Sequence, residues 1–185
     1  DMTHFNLPEG KVLLSVSGGR TSGYMLHKLL EANCTLPDRV KVVFANTGRE
    51  MPETLRFVEQ MQSRWGVKID WLEYRKAKPK FEVVNHNNAS LNGRPFEECI
   101  ESKAGGRFLP NQAMRFCTQE MKVLTIKRYL VSLGWKRWTN VVGIRADESH
   151  RAKPSKDNRW ENWYPLANAL VTKDDVNNFW RQNDF

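Results

Sequence analysis

Two adjacent glycines, Gly18 and Gly19, stand between an apolar run, Val12–Val16, and a helix-like stretch over residues 23–30. A strand that passes through glycines into a helix leaves unpaired backbone N–H groups at the positive end of the helix dipole. Phosphate groups bind at such junctions, because glycine lets their oxygens approach the backbone closely. Residues 17–22 are therefore predicted to bind a polyphosphate, although an ordinary strand-to-helix turn has the same pattern.

Apolar and amphipathic segments alternate along the chain. The predicted strands are 12–16, 40–45, 67–72 and 139–144, and the predicted helices are 21–30, 52–64 and 112–133. A last helix is predicted to begin at Thr172, with Asp175 completing a capping box. This order predicts an α/β fold: a doubly wound, mostly parallel sheet with helices on both faces and ligands at the carboxyl ends of its strands.

The 185 residues are expected to form one domain, with an irregular insertion over residues 76–112. That insertion is rich in Lys and Asn and contains several glycines and prolines, a composition typical of loops near a site.

The positive charge is localised. Residues 101–160 contain 13 Lys and Arg against 5 Asp and Glu, an excess equal to the net charge of +8 of the whole chain. Tryptophans such as Trp135, Trp138 and Trp160 are interleaved with these cations. Aromatic faces stack on bases while cations neutralise phosphates, so a nucleic-acid surface and a solvated basic face are both consistent with the pattern.

Cysteine usage and hydropathy indicate a cytoplasmic protein. The three cysteines, Cys34, Cys99 and Cys117, are odd in number and unevenly spaced, so they form neither a disulfide framework nor a complete zinc motif. No stretch approaches the roughly 18 consecutive apolar residues that span a bilayer, and the first residues lack a signal-peptide pattern. No membrane partner is therefore expected.

Two polar motifs follow later strands. Asn46, Thr47 and Gly48 come after the second strand, where polar groups of a doubly wound sheet can contact a nucleotide. The second motif lies at the end of the strand at 139–144, where two arginines and a serine on a loop suit bidentate anion binding. Its candidate residues are Gly143, Arg145, Ser149 and Arg151.

Cys117 admits two interpretations. Met114 and Met121 fall on its helical stripe, which favours a buried core thiol. Arg115 and Lys122 lie close to it in sequence, and nearby cations favour a reactive thiolate.

These motifs resemble the PAPS reductase-like family of the PP-loop ATP pyrophosphatase, or adenine nucleotide α-hydrolase, superfamily over roughly residues 10–180. Residues 17–22, Ser-Gly-Gly-Arg-Thr-Ser, resemble the PP-loop, with Arg20-Thr21 where the usual motif has Lys-Asp. The Asn46 motif resembles the family's Asp-Thr-Gly signature, and residues 143–151 resemble its Gly-x-Arg-x-x-Glu/Gln-Ser-x-x-Arg loop. The stretch around Cys117 resembles the Cys-Cys-x-x-x-Lys stretch that ligates an iron–sulfur cluster in adenylylsulfate reductases.

The resemblance implies that ATP, with Mg²⁺, is cleaved to an adenylate and pyrophosphate during sulfur transfer, as in DNA phosphorothioation systems. It implies a nucleic-acid acceptor, with DNA favoured over tRNA, and a sulfur-donor protein such as a cysteine desulfurase. The implied catalytic residues are Arg20, Cys117, Arg145 and Arg151, with Cys117 also a candidate ligand of a [4Fe-4S] cluster. The implied nucleotide-binding residues are Ser17, Gly18, Gly19, Arg20, Thr21, Ser22, Asn46, Thr47, Gly48, Lys122, Gly143 and Ser149.

Two other functions fit the same residues. One is a sulfonucleotide reductase that uses PAPS or adenylylsulfate, and the other is a nucleotide- or DNA-binding module without turnover. Reductases of the family carry a nucleophilic cysteine in a C-terminal Glu-Cys-Gly-Leu-His tail, whereas no cysteine follows Cys117 here. We therefore expect either a further C-terminal tail or the absence of the redox step.

Overall fold

The computed structural model describes residues 1–104, 119–183 and 185. Its strands form one six-stranded sheet in the order β4-β3-β2-β1-β5-β6. They are β1 (Val12–Val16), β2 (Val40–Asn46), β3 (Ile69–Tyr74), β4 (Phe81–Val84), β5 (Trp138–Val141) and β6 (Trp160–Trp163). β5 pairs in parallel with both β1 and β6, whereas β4 pairs antiparallel to β3. The predicted α/β fold with a mostly parallel sheet is confirmed.

Helices connect these strands. Within the described residues the α-helices are α1 (Arg20–Asn33), α2 (Pro52–Trp65), α3 (Arg94–Ala104), α4 (Thr125–Ser132), α5 (Pro165–Asn168) and α6 (Lys173–Gln182). Short 3₁₀ helices cover Met2–Phe5 and Ala146–Arg151, and a π-helical turn covers Gln119–Leu124. None of the helices in this part of the chain is long and apolar enough to cross a membrane.

The chain divides into two compact units. The first unit comprises Asp1–Val42, Gln60–Lys68 and Lys136–Phe185, and the second comprises Val43–Glu59 and Ile69–Trp135. In the first unit, α1 contacts both β1 and α6, and Met25, Leu26 and Leu29 are fully buried. In the second unit, α3 and α4 contact β3, and a buried cluster forms around Tyr74, Cys99 and Met121.

The local sequence patterns predicted the bounds of the first strands and helices closely. β1 covers the predicted residues, α1 and α2 extend slightly beyond theirs, and the predicted capping box at Thr172 is present. Thr172 Oγ1 accepts a hydrogen bond from the Asp175 amide, and the Asp175 carboxylate accepts one from the Thr172 amide at 2.8 Å. Paired caps of this kind satisfy two orphan donors at a helix start.

The structure differs from the sequence prediction in the later segments. Residues 76–112 contain regular elements, β4 and α3, and their last part lies outside the described residues. β4 was missed because it is short and two of its four residues are exposed, so it carries little apolar periodicity. β6 was missed for a similar reason, since none of its residues is fully buried. Of the predicted helix 112–133, the described part is the π-helical turn followed by α4.

Candidate functional site

The Ser-Gly-Gly loop, residues 17–22, connects β1 to α1 and is held in shape by one hydroxyl. The Ser22 hydroxyl accepts a hydrogen bond from the Ser17 amide at 3.1 Å and donates one to the Gly19 carbonyl at 3.0 Å. The Ser17 hydroxyl lies 3.3 Å from the Ser22 hydroxyl. Because the Ser22 proton is used for the Gly19 carbonyl, Ser22 shapes the loop and Ser17 is the donor in the contact between the two hydroxyls. Ser17 is exposed, so its hydroxyl can rotate to donate to a ligand instead.

The loop presents the start of α1 without a side-chain cap. Gly18 has a φ of 74°, in the left-handed region that favours glycine. Gly19 is the N-cap residue, and it gives the helix no side-chain cap in the described part of the chain. The first turn is fixed from outside by Trp180 of α6, whose indole Nε1 donates to the Arg20 carbonyl at 2.8 Å. The uncapped N–H groups and the helix dipole suit an anionic group at this end.

Arg145 reaches the Ser-Gly-Gly loop from the segment that follows β5. Its Nη1 donates to Thr21 Oγ1 at 3.1 Å, while Nε and Nη2 each lie 3.0 Å from the Asp147 carboxylate. Nη2 also lies 3.4 Å from Glu148 Oε1. Hydrogen bonding to Asp147 raises the pKa of Arg145, and the same bond lowers the pKa of the Asp147 carboxyl. The guanidinium is thus fixed in place and largely neutralised.

The other candidates of this segment lie further from the loop. Arg151 is 62% exposed and donates to Glu148 at 3.1 Å rather than to the loop, and Ser149 is exposed. A Cβ at Gly143 would lie 3.8 Å from the Thr21 methyl group, so Gly143 packs beside the loop.

The carboxylates of Asp147 and Glu148 were not among the predicted site residues. The sequence feature that could have identified them is the spacing Arg-x-Asp-Glu, because it lets both carboxylates reach the arginine that precedes them.

The second unit contains a buried polar network at the end of β2. Asn46 is fully buried, and its Nδ2 donates to Glu73 Oε2 at 2.7 Å and to the Ser90 carbonyl at 2.9 Å. The Asn46 Oδ1 accepts from the Gly48 amide at 3.1 Å. The buried Glu73 carboxylate also accepts from the Ser90 amide and hydroxyl and from Arg75. The side chain of Asn46 is therefore engaged within the protein and shapes the backbone that follows β2.

Gly48 is packed too tightly for a side chain. Its φ is 79°, and a Cβ there would lie 2.8 Å from Pro95 Cδ and 3.1 Å from Gly93 Cα. The Gly93 amide donates to the Gly48 carbonyl at 3.0 Å, so two loops of the second unit lie backbone to backbone. Glycine is required for this close approach.

Thr47 and Lys122 meet at a carboxylate that the sequence prediction missed. Thr47 Oγ1 lies 3.3 Å from Glu50 Oε1, and Lys122 Nζ lies 4.0 Å from the same oxygen. The structure thus brings Lys122 to the Asn46 motif within the second unit.

The described cysteines do not form a cluster site. Cys99 is buried in the apolar cluster with Tyr74 and Met121, Cys34 is exposed at the end of α1, and Cys117 lies outside the described residues. Within the described residues, no three His, Cys, Asp or Glu side chains are grouped to hold a metal ion. An iron–sulfur cluster normally needs four ligands, most of them thiolates, so these residues do not fit one.

Comparison with known families identifies the chain. The family model of the phosphoadenosine phosphosulfate (PAPS) reductase domain matches residues 11–185. The chain belongs to the PAPS reductase domain family. This result confirms the family that the sequence motifs indicated.

Relatives of this PAPS reductase-family chain occur in phages. It is 29% identical to an uncharacterised nin-region protein of Escherichia phage lambda, over 94% of this chain and 60% of that protein. It is 28% identical to an uncharacterised 37.8 kDa protein of Escherichia phage 186, over 74% of this chain and 48% of that protein. The chain therefore spans about half to three fifths of the length of these relatives.

Two solved structures share the fold of the PAPS reductase-family chain. A PAPS reductase from Candida auris, in a phosphate complex, matches with a TM-score of 0.63 and 16% identity, over 98% of this chain and 75% of that one. A U34-tRNA thiolase from Methanococcus maripaludis with its [4Fe-4S] cluster matches with a TM-score of 0.53 and 14% identity, over 96% and 58%. At these identities the likeness shows the fold alone.

Proposed function

We propose that this PAPS reductase-family domain binds ATP and cleaves it between the α- and β-phosphates during sulfur transfer to a nucleic acid, as in DNA phosphorothioation. The observation that carries the proposal is the Ser-Gly-Gly loop, whose shape is set by Ser22 and whose first helical amides have no side-chain cap. The choice of chemistry is motivated by the family match; one structural neighbour was solved with phosphate, and another is named as a tRNA thiolase.

Described residues of the first unit have separate roles at the phosphates: hydrogen bonding, charge neutralisation and positioning. The loop amides and the Ser17 hydroxyl donate hydrogen bonds to phosphate oxygens. The exposed side chain of Arg20, in the first turn of α1, neutralises charge that develops on pyrophosphate. Arg145, already paired with two carboxylates, acts mainly by holding Thr21. Catalysis is then positioning and charge neutralisation.

The reaction proceeds by two displacements. An oxygen of the acceptor attacks the α-phosphorus, the bond to the bridging oxygen breaks, and pyrophosphate leaves with that electron pair. A sulfur nucleophile from a donor protein, such as a cysteine desulfurase, then displaces AMP from the adenylated acceptor. When the donor sulfur is a persulfide, a thiol reduces the remaining S–S bond. Mg²⁺ enters as part of the MgATP substrate.

We assign Cys117 to the sulfur-transfer step, because its sequence neighbours Arg115 and Lys122 are cations that favour the thiolate form of a cysteine. Replacing Cys117 with Ser should abolish sulfur transfer and leave ATP binding intact. Cys34→Ser is the matched control, since Cys34 is exposed at the end of α1 and should be dispensable. Full sulfur transfer by Cys117→Ser would assign this thiol to the core.

The test of the ATP reaction follows the label of α-³²P ATP. The protein is incubated with MgATP alone and with DNA or tRNA, and the products are separated by thin-layer chromatography. Labelled AMP or an adenylated nucleic acid, with release of pyrophosphate, is the expected result. Gly18→Val should remove ATP binding, because valine cannot adopt the φ of 74° without strain and crowds the loop backbone. Labelled ADP, or unchanged ATP affinity in a folded Gly18→Val variant, would refute the proposal.

The second candidate is a sulfonucleotide reductase. The family match and the likeness to a PAPS reductase favour it. Release of sulfite from PAPS or adenylylsulfate in the presence of thioredoxin, without AMP formation from ATP, would establish this alternative. Nucleotide binding without either product would indicate a binding module.

A further inference from the structure

A cavity of about 260 Å³ lies at the amino ends of β1, β5 and β6 in the first unit. The Ser-Gly-Gly loop follows the carboxyl end of β1, so the cavity lies at the opposite edge of these parallel strands. We call it the amino-edge cavity. It is lined by Glu9, Lys11, Arg137, Arg159, Trp160 and Glu161, among others.

The cations of this cavity form a row set by the sheet. Lys11, Arg137 and Arg159 are the residues directly before β1, β5 and β6. These strands pair in parallel with nearly level starts, since Val12 pairs with Thr139 and Trp138 with Trp160. Neighbouring strands are about 4.8 Å apart. Arg137 is level with Arg159, whereas Lys11 is level with Trp138, one residue further along. All three cations line the cavity.

A stacked pair of indoles lines the same cavity. Trp138 and Trp160 lie across from each other on β5 and β6, with ring centroids 5.4 Å apart and planes within 19°. Trp138 is buried, with 6% of its surface exposed, whereas Trp160 keeps part of its surface open to the cavity. Trp138 therefore supports Trp160 as a rigid aromatic platform.

This combination selects a ligand with both phosphates and planar bases. A row of cations binds a phosphate backbone, and an exposed indole stacks on an unpaired base. The carboxylates of Glu9 and Glu161 disfavour a free polyphosphate but can accept hydrogen bonds from base amino groups. A cavity of about 260 Å³ accommodates a single base, not a duplex.

We propose that the amino-edge cavity binds single-stranded nucleic acid, with a base on Trp160 and the backbone along Lys11, Arg137 and Arg159. The site is separate from the Ser-Gly-Gly loop and serves to anchor the strand. It rests on the proposed function only in the choice of a nucleic-acid partner, and its binding can be measured without ATP.

The test is fluorescence anisotropy with a labelled 15-mer of oligo(dT), over a salt series that starts at low ionic strength. The double variant Arg137→Ala/Arg159→Ala should lose at least tenfold in affinity. Its plot of log K against log salt should be less steep by about 1.4, the change expected for two lost contacts to a single strand. The matched control is Arg56→Ala/Arg181→Ala, which removes the same charge from exposed helix positions and should bind within threefold of the wild type.

Base stacking is tested by Trp160→Leu, which should lose roughly 5- to 100-fold in affinity for the oligonucleotide. An abasic oligonucleotide of the same length should bind the wild type with a similar loss, which tests stacking even where Trp160→Leu does not fold. Equal affinity for abasic and normal strands would overturn the proposal. So would equal losses in the two arginine pairs, or no binding by the wild type at low salt. Oligonucleotide binding with the expected losses in the variants, but without any AMP formation from ATP, would refute the proposed function. The same result would support the assignment of the amino-edge cavity as a nucleic-acid site.

Discussion

Replacing Asn46 with Asp tests the buried network that shapes the loop after β2. The Asn46 Nδ2 lies 2.7 Å from Glu73 Oε2, and both residues are fully buried. An aspartate there removes a donor from one carboxylate and puts a second carboxylate oxygen in its place. It also leaves the Ser90 carbonyl, 2.9 Å from Nδ2, without this donor.

The expected loss of unfolding free energy follows from the repulsion between the carboxylates at positions 46 and 73. Two unit charges 2.7 Å apart repel by about 6 kcal/mol at an effective dielectric constant of 20. The pair can avoid part of this cost by taking up one proton. Holding a carboxyl with an ordinary pKa near 4 protonated at pH 7 costs about 4 kcal/mol. Some relaxation of the loop lowers this further, so we expect Asn46→Asp to reduce the free energy of unfolding by about 2–4 kcal/mol.

The pH dependence identifies the cause. The folded variant binds the shared proton and the unfolded chain does not, so between about pH 4 and pH 7 its stability falls as the pH rises. The deficit relative to wild type should therefore shrink as the pH is lowered from 7 towards 4. A packing defect would give a deficit independent of pH.

The assay is urea unfolding followed by tryptophan fluorescence and circular dichroism, for a double-mutant cycle with Glu73→Gln. In the double variant, the new carboxylate at position 46 can accept a hydrogen bond from the new side-chain amide at position 73, so we expect a favourable coupling energy of about 1–3 kcal/mol. Asn87→Asp, in an exposed turn of the same unit, is the matched control and should change stability by less than about 0.5 kcal/mol. Additive effects in the cycle, or a deficit that does not vary with pH, would refute this account.

Three further predictions concern other parts of the chain. Gly48→Ala should destabilise by at least about 1 kcal/mol more than Gly10→Ala in urea unfolding, because both have a φ of 79° but only Gly48 faces a contact under 3.0 Å; equal costs would refute the packing argument. Burial lowers the pKa of His27 below its ordinary 6.5, so the folded state loses stability as the pH falls through about 6.5, and His27→Gln should flatten that part of the stability profile. Arg145→Ala should raise the KM for ATP about tenfold or more, whereas Arg151→Ala should raise it less, since Arg145 donates to Thr21 of the Ser-Gly-Gly loop and Arg151 donates to Glu148; the reverse order in steady-state kinetics would contradict this placement.

The elements that could be predicted are those with strong local patterns. The apolar runs of β1 and β2 and the amphipathic α2 stand out in the sequence because their buried residues recur at the period of the element. The cap of α6 could be predicted because Thr172 and Asp175 interact within one helical turn. β4 and β6 could not be predicted, because four residues are too few to show a clear period. Their strand conformation depends on pairing with β3 and β5.

The candidate site residues also fall into two groups: those predictable from local sequence and those positioned only by the tertiary structure. The strand–loop–helix backbone around residues 17–22 could be predicted from the sequence alone, because glycines between a strand and a helix determine the backbone locally. That these residues bind a nucleotide stays a prediction. Only the tertiary structure brings Arg145 to Thr21, 124 positions away, or places Asn46 against Glu73, 27 positions away. The basic row at the amino ends of β1, β5 and β6 likewise depends on strand order. Short-range spacing determines backbone conformation, whereas the partner of a buried charge or amide depends on which distant segments pack together.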